Sequence, residues 1–112
     1  MTAQNFKVAT VQMVSGIDVD VNISTMQTLV RKAAHAGAKW VLLPEYWPLM
    51  GAHEQDKLTI AENFGEGRLQ KLLQQLAKEL RIVLFTGSIP LRSSKENKIL
   101  NTMLVYKDQR EL

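Results

Sequence analysis

Short apolar segments alternate with amphipathic segments along this 112-residue sequence, and that alternation restricts the fold more than any other feature. Residues 6–13 and 39–44 carry apolar side chains at neighbouring positions, as buried strands do. Residues 21–36 and 66–80 instead repeat apolar side chains at intervals of three and four, which is the period of one helix face. Strands that alternate with such helices imply a layered α/β fold.

Two further strands are predicted in the second half, at residues 81–90 and 99–106, which completes the order β-α-β-α-β-β. The first strand is apolar on both faces, so we expect it to be central in the sheet rather than at its edge. Residues 46–67 follow no clear period apart from a possible short helix. Long, loosely patterned connections of this kind often carry function.

Composition excludes several classes of function. Lys and Arg number 14 against 11 Asp and Glu, a net charge of +3, with no basic stripe to bind nucleic acid. No apolar run approaches the roughly 20 residues that a membrane helix needs, and we expect a cytoplasmic protein. The chain has no cysteine, which removes disulfides, thiolate metal sites and a thiol nucleophile. No glycine-rich phosphate loop is present, and no cofactor is expected.

The stretch "WVLLPEYW", residues 40–47, places one carboxylate among apolar residues. Glu45 directly follows a predicted strand, at the edge of an α/β sheet where ligands bind. An apolar pocket there would suit it to proton transfer, whereas a surface loop or a Lys or Arg partner would leave it without a catalytic role. Tyr46 and Trp47 come next, and they would either line a substrate pocket or pack structurally.

Other polar residues give weaker evidence of a functional site. His53, Glu54 and Asp56 match no metal-ligand spacing, so no metal site is predicted. Ser88 follows a strand but lacks a nucleophile motif, and we interpret it as a turn serine. Asn101 lies in an apolar strand, where its amide must find hydrogen bonds, and we expect it to brace a neighbouring loop.

Motifs in a consistent order along nearly the whole chain resemble the N-terminal portion of the carbon–nitrogen hydrolase, or nitrilase, superfamily. The resemblance is carried by "VATVQM", "VNISTMQTLVRKAAHAGAKWVLLPEYW", "LLQQLAKELRIVLFTGSIP" and "NTMLVYKDQREL". The stretch "LPEYWPLMG" is similar to the bacterial branch that resembles omega-amidases and deaminated-glutathione amidases. The resemblance implies an α-β-β-α sandwich, of which residues 1–112 would form the N-terminal part of a single domain.

The resemblance also implies hydrolysis of non-peptide C–N bonds in small amides or nitriles by a Glu–Lys–Cys triad. By position Glu45 matches the glutamate, which acts as general base and then as acid. The family's lysine follows the hairpin that begins at Tyr106, and its cysteine comes much later in the chain. Lys107 belongs to the turn itself and is not assigned that role. The chain alone is therefore expected to be inactive.

A domain of this family needs well over twice the present length, so one sheet face would be left without its cover. We therefore expect either a fragment of a carbon–nitrogen hydrolase or a non-catalytic, truncated or split subunit. The second would pair with another chain, or form a homo-oligomer, through the open face. A flavodoxin-like module is disfavoured, because "VSGIDVDVN" is acidic where an anion would bind.

Overall fold

The computed structural model describes residues 7–50, 54–95 and 98–107. These residues form two α-helices and six strands, with a 3₁₀ helix at Glu54–Thr59 before the second α-helix. In chain order the other elements are β1 (Lys7–Thr10), α1 (Val19–His35), β2 (Ala38–Leu42), α2 (Arg68–Leu80), β3 (Val83–Phe85), β4 (Ile89–Arg92), β5 (Ile99–Thr102) and β6 (Val105–Tyr106). The predicted mixed α/β class is confirmed.

The strands belong to two sheets. Strands β1, β2 and β3 run parallel, β6 runs antiparallel to β3, and the order across the sheet is β1-β2-β3-β6. Strands β4 and β5 form a separate antiparallel pair. Because β1, β2 and β3 are parallel, the loops that follow them emerge at one edge of the larger sheet.

The predicted strands at 81–90 and 99–106 each divide into two. Gly87 has a φ of 64°, and a Cβ at this position would lie 2.1 Å from the carbonyl oxygen of Pro44. The chain therefore turns sharply between β3 and β4, and β4 pairs in the other sheet. Among the described residues β1 is an edge strand, contrary to the expected central position, and Phe6 lies outside the part of the chain that the structure describes.

One face of the four-stranded sheet is covered by the two helices. Ala9, Val41, Leu84 and Tyr106 are neighbours in register across the four strands and belong to the core or pack against it. Val41 and Leu84 are fully buried. The helices contribute apolar side chains at the predicted intervals of three and four, namely Ile23, Met26, Val30, Leu69, Leu73, Leu76 and Ala77.

The opposite face of the same sheet is open. Val8, Trp40 and Val105 point to that face and keep 53%, 41% and 50% of their surface exposed. The rings of Trp40 and Phe85 lie against each other there, with centroids 5.4 Å apart. The open face is thus apolar and partly solvent-exposed in this chain.

The two helices begin in different ways. The side chain of Asp18 accepts a hydrogen bond from the Val21 amide and so caps α1 locally. Gly67 precedes α2 and offers no side chain, and the carboxylate of Glu62 accepts hydrogen bonds from the Leu69 and Gln70 amides instead, at 2.6 and 3.1 Å. Glu62 also pairs through its backbone with Leu91 of β4, so it ties α2 to the second sheet.

Within the described ranges, no helix combines the length and the apolar character required to cross a bilayer.

Candidate functional site

The ends of β2 and β3 lie side by side and present Glu45. The Leu43 amide donates to the carbonyl of Phe85 at 2.9 Å, which extends the parallel pairing one residue past β2. Pro44 then ends the strand, and Glu45 opens a turn at the edge where the parallel strands finish. Its side chain is exposed, and none of the described residues forms a hydrogen bond or ion pair with its carboxylate. The carboxylate is therefore accessible on a structured loop.

Tyr46 is held in an unusual backbone conformation directly after Glu45. Its φ of 57° lies in the left-handed region, which costs a non-glycine residue about 1–2 kcal/mol. Its amide donates to the hydroxyl and to the carbonyl oxygen of Ser88, at 3.1 and 3.3 Å. The ammonium group of Lys57 lies 3.5 Å from the centre of its ring. These contacts offset the strain and fix the turn.

Trp47 anchors the turn in the core. Its side chain is fully buried, and its indole N–H donates to the carbonyl oxygen of Thr86 at 2.7 Å. The Ser15 hydroxyl donates to the Trp47 carbonyl, also at 2.7 Å. Full burial of Trp47 is expected if the side chain packs structurally rather than lining a substrate pocket. A role of Tyr46 or Trp47 in lining a substrate pocket remains a prediction.

The Asn22 side chain joins the loop after β1 to the turn that follows Glu45. It is 2% exposed, and its amide nitrogen donates to the carbonyls of Gly16 and Pro48, each at 2.9 Å. Its carbonyl oxygen accepts from the Gly16 amide at 3.0 Å. Both side-chain N–H groups and the side-chain oxygen of Asn22 therefore bond the loop after β1 and the turn after Glu45. The sequence signal was available, because Asn22 precedes Met26 by four residues and so lies on the apolar stripe of α1.

Thr86 connects the turn to β6. It is fully buried, its amide donates to the Leu104 carbonyl, and its hydroxyl oxygen accepts from the Leu104 amide at 2.8 Å. Because the Thr86 carbonyl also accepts from the Trp47 indole, one residue links the loop after β2 to the start of β6. No periodicity in the sequence points to this role.

The remaining sequence candidates have structural contacts. The Asn101 amide donates to the Tyr46 hydroxyl at 3.3 Å, as expected for a residue that braces a loop. Ser88 accepts from the Tyr46 amide and lies in the turn, as expected. His53 and the side chains of Glu54 and Asp56 lie outside the described residues, and the described residues contain no group of three potential metal ligands.

A surface cavity of about 330 Å³ lies between α2 and β6, and Glu45 is not part of its lining. Phe64, Lys71 and Tyr106 are among the residues that line it. Partial burial, and to a smaller extent the negative charge of Glu62, raise the pKa of Tyr106 above its ordinary value. The cavity therefore lies beside β6 and is separate from the Glu45 turn.

Comparison with known proteins gives a consistent result. Residues 7–112 match the family model described as carbon-nitrogen hydrolase. The chain is 30% identical over 110 residues to nitrilase homolog 2 of Dictyostelium discoideum, and 31% identical over 112 residues to the chloroplastic omega-amidase of Arabidopsis thaliana. Both alignments cover 96% of this chain but only 32% and 29% of the relatives. The chain thus spans about a third of the length of these curated relatives.

The fold has solved counterparts. The structure of the NitFhit protein of C. elegans superposes with a TM-score of 0.77 at 22% sequence identity. The superposition covers 89% of this chain and 24% of that protein. At this level of identity the likeness concerns the fold alone.

Proposed function

The chain belongs to the carbon–nitrogen hydrolase family, and on that premise we propose that it forms the N-terminal part of an amidase in which Glu45 is the general base. The observation that carries the proposal is the placement of Glu45. Its carboxylate is exposed at the carboxyl edge of parallel strands, on a turn that is hydrogen-bonded to Ser88, Thr86 and Asn22. A catalytic carboxylate needs both accessibility and a fixed backbone.

In the proposed reaction Glu45 takes the proton of a cysteine thiol, and the thiolate attacks the carbonyl carbon of a small amide. The tetrahedral intermediate collapses as Glu45 returns the proton to the leaving nitrogen, which departs as ammonia or an amine and leaves a thioester. Glu45 then removes a proton from water as the water oxygen attacks the thioester carbonyl carbon. The C–S bond breaks, the carboxylic acid leaves, and Glu45 returns the proton to the thiolate sulfur. A lysine would stabilise the negative charge on the tetrahedral oxygen. Residues 1–112 contain no cysteine, so the proposed reaction requires a nucleophile supplied from outside them.

We propose the substrate class and the branch of the family from the names of the relatives and from one stretch of the sequence. Because one relative is an omega-amidase, we favour small amides over nitriles as substrates. The stretch "LPEYWPLMG" supports the branch of omega-amidases and deaminated-glutathione amidases. Tyr46, which is partly exposed, is the proposed neighbour of the substrate, and the fully buried Trp47 is proposed to support the turn from the core.

We propose that residues 1–112 belong to one domain whose remaining part covers the open sheet face. A second candidate, a non-catalytic subunit that pairs with another chain, is supported by the apolar character of that face at Val8, Trp40 and Val105. A homo-oligomer would hide this surface in the same way. The two candidates differ in what covers the face and in whether the assembly hydrolyses amides.

The test uses a polypeptide that carries residues 1–112 together with the rest of the family domain. It is expected to release ammonia from small amides, and Glu45→Gln is expected to lower kcat by at least about 100-fold because the base is lost. Glu66→Gln, a matched change of another exposed glutamate, should leave kcat unchanged. The 112-residue chain alone should release no ammonia.

Two outcomes would contradict the amidase proposal: ammonia release by the isolated chain, or full activity of Glu45→Gln in the complete domain. The pairing candidate is tested separately by analytical ultracentrifugation of the isolated chain. A monomer that melts cooperatively and binds no hydrophobic dye would rule it out.

A further inference from the structure

The loops that follow β2 and β3 approach each other more closely than side chains allow. A Cβ on Gly87 would lie 2.1 Å from the Pro44 carbonyl oxygen and 2.6 Å from that of Leu43. Real Cβ atoms do not come this close to backbone oxygens, so only glycine permits the approach. The backbone just before Glu45 is therefore packed directly against the backbone just before Ser88.

Ser88 forms a second contact between the two loops, at Tyr46, the residue that follows Glu45. Its hydroxyl oxygen and its carbonyl oxygen both accept from the Tyr46 amide, at 3.1 and 3.3 Å. Glu45 thus lies between Pro44, which packs on Gly87, and Tyr46, which is hydrogen-bonded to Ser88. Its backbone position is fixed by the segment after β3 rather than by its own strand.

The hydrogen bonds to Ser88 also stabilise the left-handed conformation of Tyr46. A residue with a φ of 57° relaxes to a commoner conformation unless its surroundings prevent it. Asn101 restrains the phenol hydroxyl, whereas within the described part of the chain the Tyr46 amide donates to Ser88 alone. Relaxation of Tyr46 would change the direction in which the neighbouring Glu45 side chain leaves the backbone.

We propose that Ser88 is a positioning residue for Glu45, with its hydroxyl fixing the Tyr46 amide so that the Glu45 carboxylate is held in its reactive orientation. The inference rests on the proposed function, in which Glu45 is the general base. Ser88 forms no covalent bond with the substrate and transfers no proton. Its effect passes through the backbone of residues 45 and 46.

The experiment measures kcat and KM for amide hydrolysis in the complete domain that carries Ser88→Ala. We expect kcat to fall about tenfold with KM within about twofold of wild type, because misorientation of a catalytic group slows the chemical step more than binding. Ser88→Thr retains the hydroxyl and should restore kcat to within about twofold. Ser93→Ala removes a hydroxyl that is hydrogen-bonded, among the described residues, to the backbone of Lys95, and it is expected to leave kcat unchanged.

Hydrogen exchange of the Tyr46 amide in the same proteins gives a readout that does not depend on turnover. Ser88→Ala should accelerate that exchange about tenfold, with Ser88→Thr close to wild type. Wild-type kcat or unchanged Tyr46 exchange in Ser88→Ala overturns the positioning role, and so does a failure of Ser88→Thr to restore kcat. If Ser88 proves not to be a positioning residue but Glu45→Gln is inactive in the same assays, the proposed function of Glu45 still stands. An active Glu45→Gln rejects both the general-base role of Glu45 and the positioning role of Ser88.

Discussion

The two faces of the four-stranded sheet have similar side chains and different surroundings. On the helix-covered face, Val41 and Leu84 are fully buried. On the open face, Val8 and Val105 keep about half of their surface in water. Apolar side chains on both faces of a strand are typical of sheets that are covered on both sides. The comparison supports the proposal made above that another part of the domain, or another chain, covers the open face.

The largest effect is expected on the covered face. Val41→Ala should lower the free energy of unfolding by about 2 kcal/mol, because it removes two methyl groups from a fully buried site and leaves a cavity. Urea denaturation followed by circular dichroism measures the change. A loss under about 0.5 kcal/mol would mean that the helices do not pack on this face as described.

An intermediate effect is expected where the covering helix α2 begins. Glu62→Ala removes the acceptor of the Leu69 and Gln70 amides and should cost about 1–2 kcal/mol, as the loss of a helix cap does. Glu66→Ala is the matched control, since that exposed side chain should contribute less than about 0.5 kcal/mol. Equal losses in the two variants, by the same urea measurement, would show that Glu62 does not cap α2.

The smallest effect is expected on the open face. Val8→Ala makes the same chemical change as Val41→Ala on the neighbouring strand, yet it should alter the stability of the isolated chain by under about 0.5 kcal/mol. In the complete domain the cost should rise toward that of Val41→Ala, because the same methyl groups are then buried. If Val8→Ala lowered the free energy of unfolding equally in the isolated chain and in the complete domain, the rest of the domain would not cover Val8.

Much of the fold could be predicted from the sequence because it depends on local periodicity. The apolar intervals in α1 and α2 located both helices to within about two residues, which is the usual uncertainty of helix ends. Residues 81–90 show the limit of such patterns. Apolar residues lie on both sides of Thr86, Gly87 and Ser88, and periodicity does not reveal that the chain turns at Gly87, against the Pro44 carbonyl, between β3 and β4.

The candidate site was predicted in part. Glu45 was selected because it follows a strand, and Asn101 because a buried-strand amide needs a partner. Glu62 was missed, since its partners are amides of a helix that begins six residues later and no capping motif surrounds it. Thr86 was missed because its contacts are with Trp47 and Leu104, which are distant in sequence.

The sequence by itself determined the α/β class, the two helices, the order of the main strands and the resemblance that singles out Glu45, because periodicity and motif order are local properties. Only the tertiary structure decided which face of the sheet is covered and which residues hold the Glu45 turn. Both depend on segments that are far apart in the chain. The side chain in "WVLLPEYW" that needed a partner most was the Trp47 indole, and the carbonyl that satisfies it lies 39 residues away.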